Sequence, residues 1–158
     1  MSLSVPRRPQ IVKAKRTFHI VASQFNARYV QGLVDHATEE LRALAPSATI
    51  SLQRVPGAFE IPVIVRQLAS QNKADAIIAC GVILKGKTDH AQNLSRSVTD
   101  ALQRIAVDHG VPVINAVLSF DDETQARERC LKEKINRGTE AARAAIEIAG
   151  TMSILRRK

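Results

Sequence analysis

Strand-like and helix-like segments alternate along the whole chain, and that order predicts an α/β fold: a four-stranded parallel sheet with helices on both faces, a three-layer αβα sandwich. Two further observations point the same way. The segment Ala74 to Leu84 is apolar almost without interruption, as a strand covered on both faces must be. Between the strands, apolar residues recur at three- and four-residue spacing, which gives each helix one buried stripe.

Taken in order, Thr17 to Ser23 (TFHIVAS) reads as the first strand, and Gln24-Phe25-Asn26 as the loop at its carboxyl end, with Asn26 as N-cap of the next helix. Val30, Leu33, Val34, Ala37, Leu41 and Leu44 make that helix's apolar face, and Pro46 ends it. Ala48 to Val55 fits a second strand, and Pro56-Gly57 marks a turn. Phe59 to Ser70 is helical, with Pro62 acceptable in the first turn. Ala74 to Leu84 is the third strand. Leu94, Val98, Leu102 and Ile105 define a helix that Gly110 closes ahead of Val111-Pro112. Val113 to Ser119 is the fourth strand, Glu123 to Leu131 a short helix, and Thr139 to Met152 a longer, alanine-rich one.

At 158 residues, 45% of them hydrophobic, the chain suits a single domain with a substantial core. Residues 1–16 read as a basic N-terminal tail and residues 17–158 as the folded domain. Arg7, Arg8, Lys13, Lys15 and Arg16 crowd the tail, and Arg156, Arg157 and Lys158 close the chain; both are expected to be flexible ends. The net charge of +8 raises nucleic acid as a partner. Aromatics at 3% and no tryptophan leave almost nothing on which to stack bases, so no nucleic-acid partner is expected. No apolar run reaches membrane-spanning length, and the first residues carry charges and prolines where a signal peptide needs an apolar segment; the expectation is a cytoplasmic protein with no membrane partner. Cys80 and Cys130 read as free thiols, and four scattered histidines predict no metal site.

Gly81 to Thr88 fits the phosphate-loop pattern of nucleotide hydrolases, G-x-x-x-x-G-K-[ST]. Its intervening residues are Val82, Ile83, Leu84 and Lys85, and stiff branched aliphatics suit an extended strand better than a tight cradle. What survives is a strand running into an anion-binding turn, where Gly86, Lys87 and Thr88 offer backbone N–H groups, a cation and a hydroxyl at a helix start. Ligands of open parallel sheets bind outside the strand carboxyl ends, which here are Phe25-Asn26, Pro56 to Glu60, Leu84 to His90 and Ser119 onward.

Six segments in this order resemble the lumazine synthases of riboflavin biosynthesis: Ser23-Gln24-Phe25-Asn26, Val55 to Pro62, Gly81 to His90, Val111 to Ile114, Gln125 to Arg129 and Asn136-Arg137-Gly138. The resemblance runs from about Thr17 to about Ala149 and implies a flavodoxin-like sheet. It also implies condensation of 5-amino-6-ribitylamino-uracil with 3,4-dihydroxy-2-butanone 4-phosphate to 6,7-dimethyl-8-ribityllumazine, with no cofactor. His90 takes the family's acid–base position, a role that imidazole suits near neutral pH; without the motif it would read as a residue that caps a helix. Arg129 takes the phosphate-binding position, where its alternative is a solvated helix arginine. Lys87 and Thr88 would complete the phosphate pocket. Phe25, with Asn26 beside it, would stack on the pyrimidine, or else be an ordinary core residue. Ala58 and Glu60 would hold the ribityl chain, with Phe59 between them also counted as substrate-binding, though Glu60 alone fits a first-turn glutamate. Val82, Ile83 and Leu84 would offer main-chain groups to the pyrimidine.

The resemblance further implies small-molecule substrates and a homopentamer, with twelve pentamers in some members forming an icosahedral shell. Its sites are shared, Arg129 and Asn115 coming from a neighbouring subunit. Four features depart from the family pattern. Asn115 stands for an aromatic, Ala91 and Gln92 follow His90 where an aromatic and an acid are common, Arg137 replaces a lysine, and Cys130 to Ile135 lacks the usual glycines. Asn115 and Gln92 motivate one alternative, a catalytically weak member that binds a flavin, lumazine or phosphate ligand.

Overall fold

Every residue of the strand Ala76–Leu84 is buried except Leu84 at its end, and the rest of the fold is assembled on its two faces. The computed structural model describes residues 3–157. Its elements are β1 (Thr17–Ser23), α1 (Ala27–Leu44), β2 (Thr49–Val55), a 3₁₀ turn (Ala58–Glu60), α2 (Ile61–Ser70), β3 (Ala76–Leu84), α3 (His90–His109), β4 (Val113–Phe120), α4 (Glu123–Cys130) and α5 (Arg137–Arg156). All strand pairs are parallel, in the order β2-β1-β3-β4. This is the three-layer, flavodoxin-like arrangement expected. The chain winds outward in opposite directions from the β1–β3 pair, so the crevice for a ligand opens between the carboxyl ends of those two strands.

Alternation along the strands sorts the core into two layers. Phe18, Ile20, Ile78, Cys80, Ala116 and Phe120 face α1, α4 and α5. Val21, Ile77, Ala79, Ile83 and Val117 face α2 and α3. Gly110 is left-handed, with φ 64°, and ends α3 as expected.

Helix α1 meets both α5 and the end of α4 closely at glycines. A Cβ on Gly138 would lie 2.3 Å from the Leu33 carbonyl oxygen, and one on Gly32 2.4 Å from the Cys130 carbonyl oxygen. The buried Asn136 fixes this corner. Its Oδ1 accepts from Gly138 N at 2.8 Å and from Thr139 N, while its Nδ2 donates to the carbonyls of Cys130 and Lys132, each at 3.0 Å. That cap starts α5 at Arg137, two residues ahead of the expected start.

Three expectations are corrected. Asn26 stands at the N-terminus of α1 but does not cap it with its side chain. Its backbone is left-handed, φ 57°, and the amide is used elsewhere. The basic segment before Thr17 is not a free end among the described residues. Arg8 pairs with the buried Glu40 at 2.7 Å, Arg143 donates to Glu40 at 2.8 Å and to the Pro6 carbonyl at 3.0 Å, and Val12 N donates to the Leu44 carbonyl at 2.7 Å. A carboxylate inside the α1–α5 face must be paired, and the tail supplies one of its two guanidiniums. Burial pushes the Glu40 carboxyl up, but hydrogen bonds from Arg143 and Arg8 outweigh that and hold it below the usual glutamate value. At the other end α5 continues to Arg156, whose guanidinium donates to the Gly110 carbonyl at 3.0 Å, so Arg156 is not a free end either; Lys158 lies outside the described residues.

Candidate active site

Three loops meet at the carboxyl ends of β1, β2 and β3. Gln24 N donates to the Val55 carbonyl at 2.8 Å and Phe25 N to the Pro56 carbonyl at 3.1 Å, which joins the first loop to the second. Asn26 Nδ2 donates to the Val82 carbonyl at 2.7 Å, across the β1–β3 crevice. The left-handed backbone at Asn26 turns its amide toward β3, and the bond satisfies a carbonyl near the strand's end.

Around that junction the expected binding residues divide into buried walls and projecting rings. Ala58, Val82 and Ile83 are buried. Phe25 is 72% exposed and Phe59 68%, so neither is a core residue; both present bare rings above the loops. The Glu60 carboxylate lies over Gly57, where a Cβ would come within 3.5 Å of its Oε1.

β3 passes through Leu84 into the exposed turn of Lys85 to Asp89, and His90 opens α3. Thr88 Oγ1 accepts a long bond, 3.4 Å, from His90 N. No side chain caps α3, and the His90 ring has no hydrogen-bond partner among the described residues, so the capping alternative is not what the structure holds. An exposed imidazole at the start of a helix, above the strand ends, is free to exchange protons with a bound molecule. Beside this turn a cleft of 480 Å³ is lined by Lys85, Thr88, Gln92, Arg96 and Ser119.

Arg129 lies near the end of α4, on the α1–α5 side of the sheet. Its Nη1 is buried and makes no hydrogen bond among the described residues, which sets it apart from a solvated helix arginine. A buried donor without an acceptor suits an anion. Within one chain Arg129 is in the layer opposite α2 and α3. Asn115 also stands away from the strand-end cluster. It pairs in register with Ala79, five residues before the β4 end at Phe120, a separation of about 16 Å along the strand. Both ends of its amide are engaged, with Thr99 Oγ1 at 3.3 Å and with Val117 N at 3.0 Å. Arg137 forms an ion pair with Glu140 at the start of α5, and the two line a groove of 360 Å³ together with Asn115, Ala116 and Leu118. The chain therefore gathers Phe25, Asn26, Ala58, Phe59, Glu60, Val82, Ile83, Leu84, Lys87, Thr88 and His90 at one end of the sheet. It places Arg129, Arg137 and Asn115 apart from them.

One pair at this end had no sequence signal beyond two opposite charges 36 residues apart: Lys85 Nζ meets Asp121 Oδ1 at 2.5 Å. Hydrogen bonds from Lys85 and Gln125 hold the Asp121 carboxyl below its ordinary value. Among the described residues no three His, Cys, Asp or Glu side chains are gathered as a metal site would gather them.

Comparison with known proteins gives a consistent result. The family model described as 6,7-dimethyl-8-ribityllumazine synthase matches residues 15–153. Among curated proteins, the 6,7-dimethyl-8-ribityllumazine synthase of Azoarcus sp. is 39% identical over 86% of this chain and 85% of its own length. That of Halorhodospira halophila is 38% identical over 85% of this chain and 87% of its own length. The enzyme of the same name from Paraburkholderia phymatum is 41% identical over 82% of this chain and 74% of its own length. A family model that matches residues 15–153, with relatives 38–41% identical over most of both chains, means that the chain belongs to the 6,7-dimethyl-8-ribityllumazine synthase family.

Proposed function

We propose that this protein condenses 5-amino-6-ribitylamino-uracil with 3,4-dihydroxy-2-butanone 4-phosphate to give 6,7-dimethyl-8-ribityllumazine, phosphate and water. The observation that carries the reading is the family match over residues 15–153, with Phe25, Glu60 and His90 falling on converging loops at one end of the sheet. The 5-amino group attacks the ketone and water leaves to form an imine. Loss of the proton from the hydroxyl-bearing carbon beside the imine expels phosphate and leaves an enol, which tautomerises to a ketone; the ribitylamino nitrogen attacks that new carbonyl, and loss of a second water closes the ring. His90 carries protons between these steps, and its ring is exposed and unengaged. The exposed Phe25 ring stacks on the pyrimidine, with Asn26 fixing the loop to β3. Ala58, Phe59 and Glu60 receive the ribityl chain, and main-chain groups of Val82, Ile83 and Leu84 meet the pyrimidine edge. Lys87 and Thr88 hold the phosphate with Arg129 as charge develops on the leaving group, a task for which the buried, unpartnered Nη1 is suited. The pair Arg137–Glu140 and Asn115 border the same pocket from a second subunit.

That sharing makes the active form a homo-oligomer, which we take to be a pentamer working in the cytoplasm, where two buried free thiols stay reduced. Support comes from Arg129 and His90 belonging to different layers of one chain, and from an apolar groove of 400 Å³ beside β4 lined by Val107, Val111, Val113, Ile148 and Met152. Val107 is 69% exposed there, as a residue awaiting a partner surface would be. The test is to mix purified protein with both substrates and follow lumazine absorbance against the uncatalysed reaction. Formation above background is expected from the oligomer. Background-level formation by folded, oligomeric protein overturns the reading, and a monomer by sedimentation overturns the shared site.

A further inference from the structure

The turn from Lys85 to Asp89 links β3 to α3 and leads into His90, yet apart from its junctions with that strand and helix it is held to the fold at one residue. The β3–β4 ladder ends at the pair Leu84 and Phe120. Beyond it, among the described residues, Lys85 supplies the bonds that join this turn to an element other than the strand and helix it connects: its N–H donates to the Phe120 carbonyl at 2.9 Å, and its Nζ meets Asp121 Oδ1 at 2.5 Å. Among the described residues, the turn's other bond beyond itself is to the helix it opens, where the Asp89 carbonyl accepts from Asn93 N at 3.0 Å. A Cβ added to Gly86 would find no atom within 4 Å, the side chain of Asp89 does not cap α3, and the bond from His90 N to Thr88 stays within the segment.

Asp121, by contrast, is firmly placed. Its backbone N–H donates to Gln125 Oε1 at 2.9 Å, and Gln125 Nε2 reaches back to Asp121 Oδ2 at 3.3 Å. Gln125 N is itself capped by Asp122 Oδ1 at 2.9 Å, and the next residue, Glu123, accepts from Tyr29 on α1 at 2.9 Å. The start of α4 is thus a fixed point between β4 and α1. We infer that the Lys85–Asp121 pair is a positioning element that pins the 86–90 turn to the start of α4, so that Thr88 and His90 are held in place without Lys85 or Asp121 touching the substrate. The catalytic part of this inference rests on the function proposed above; the positioning part does not.

Lys85 is 60% exposed and Asp121 58%, so the pair holds the turn with the modest grip of a surface ion pair, a factor of about two to five in an equilibrium. The experiment uses the full-length protein with three changes: Asp121→Asn, Asp121→Glu, and the exchanged pair Lys85→Asp with Asp121→Lys. Amide hydrogen exchange across residues 86–90 is read without substrate. Asp121→Asn is expected to speed it about threefold at unchanged melting temperature, while Asp121→Glu and the exchanged pair return it toward the parent rate. With both substrates, Asp121→Asn is expected to raise KM for the butanone phosphate by a similar factor, with the exchanged pair again restoring it. Unchanged exchange in Asp121→Asn overturns the inference. Restored exchange without restored KM also overturns it, and shows that Lys85 acts on the substrate directly. A parent protein that makes no lumazine, but whose turn loosens as described, would count against the proposed reaction and leave the positioning role standing.

Discussion

Gly138→Ala tests why a glycine stands in the Asn136-Arg137-Gly138 segment. Its backbone is not in the left-handed region, so conformational freedom is not the reason. Space is: the added Cβ would lie 2.3 Å from the Leu33 carbonyl oxygen and 3.0 Å from its carbon, both backbone atoms of α1 that no rotamer change can move aside. Relief requires α1 and α5 to separate across a face that includes Leu33, Ala37, Ala142 and Ala145, all fully buried. Overpacking of this kind costs about 3 kcal/mol, the upper part of its usual range because the obstacle is main chain. For a protein of this size each kcal/mol lowers the melting temperature by about 2–4 °C, so the expected fall is about 6–12 °C. Gly150→Ala is the internal control. It lies in the same helix with nothing within 4 Å of its added Cβ, and should gain about 0.5–1 kcal/mol from helix propensity. Both are read by circular dichroism on heating, at one protein concentration. A Gly138→Ala variant melting within about 2 °C of the parent would refute the steric argument.

His90→Ala should slow lumazine formation by about 10²-fold, the lower range for loss of an acid–base group, with melting unchanged because the ring is exposed; turnover at the parent rate removes it from the mechanism. Arg129→Ala should chiefly raise KM for the phosphorylated substrate, by about tenfold or more for a charge-assisted contact, and unchanged saturation would exclude the phosphate role. Glu40→Gln should destabilise the protein by about 2 kcal/mol at neutral pH, since Arg8 and Arg143 lose a charged acceptor. The folded carboxyl sits below its unfolded value of 4.5, so this contribution is present above pH 4.5 and lost as pH falls through the folded value; the melting difference between parent and variant should narrow there, and a gap that stays constant into acid would contradict it. Burial pushes both thiols, Cys80 and Cys130, up to about 12, so neither should react with a thiol reagent at pH 8 until the protein is unfolded. Rapid labelling of native protein would show the core to be open.

Much of this fold was legible from local pattern alone. β1 covers Thr17–Ser23, the segment read as the first strand, Gly110 closes α3 in the left-handed conformation that glycine adopts readily, and the apolar run to Leu84 is a strand covered on both faces. The motif-bearing loops could be placed at the strand ends because parallel sheets leave their ligand crevice there. These features are set by residues within a few positions of one another, and burial imprints them as periodicity.

What required the tertiary structure was every decision made between distant residues. Asn26 has the composition of a cap, but the reach to the Val82 carbonyl, 56 residues on, outcompetes capping. Arg8 reads as tail charge until the buried Glu40 claims it across 32 residues. Phe25 could be core or surface by sequence, and only the packing of α1 against the sheet leaves it out. Arg129 and His90 share a family motif set, yet the winding of the sheet puts them in opposite layers of one chain. A pattern window sees which residues must be buried; which polar group satisfies another is settled by desolvation once the layers close, and that pairing leaves no local trace.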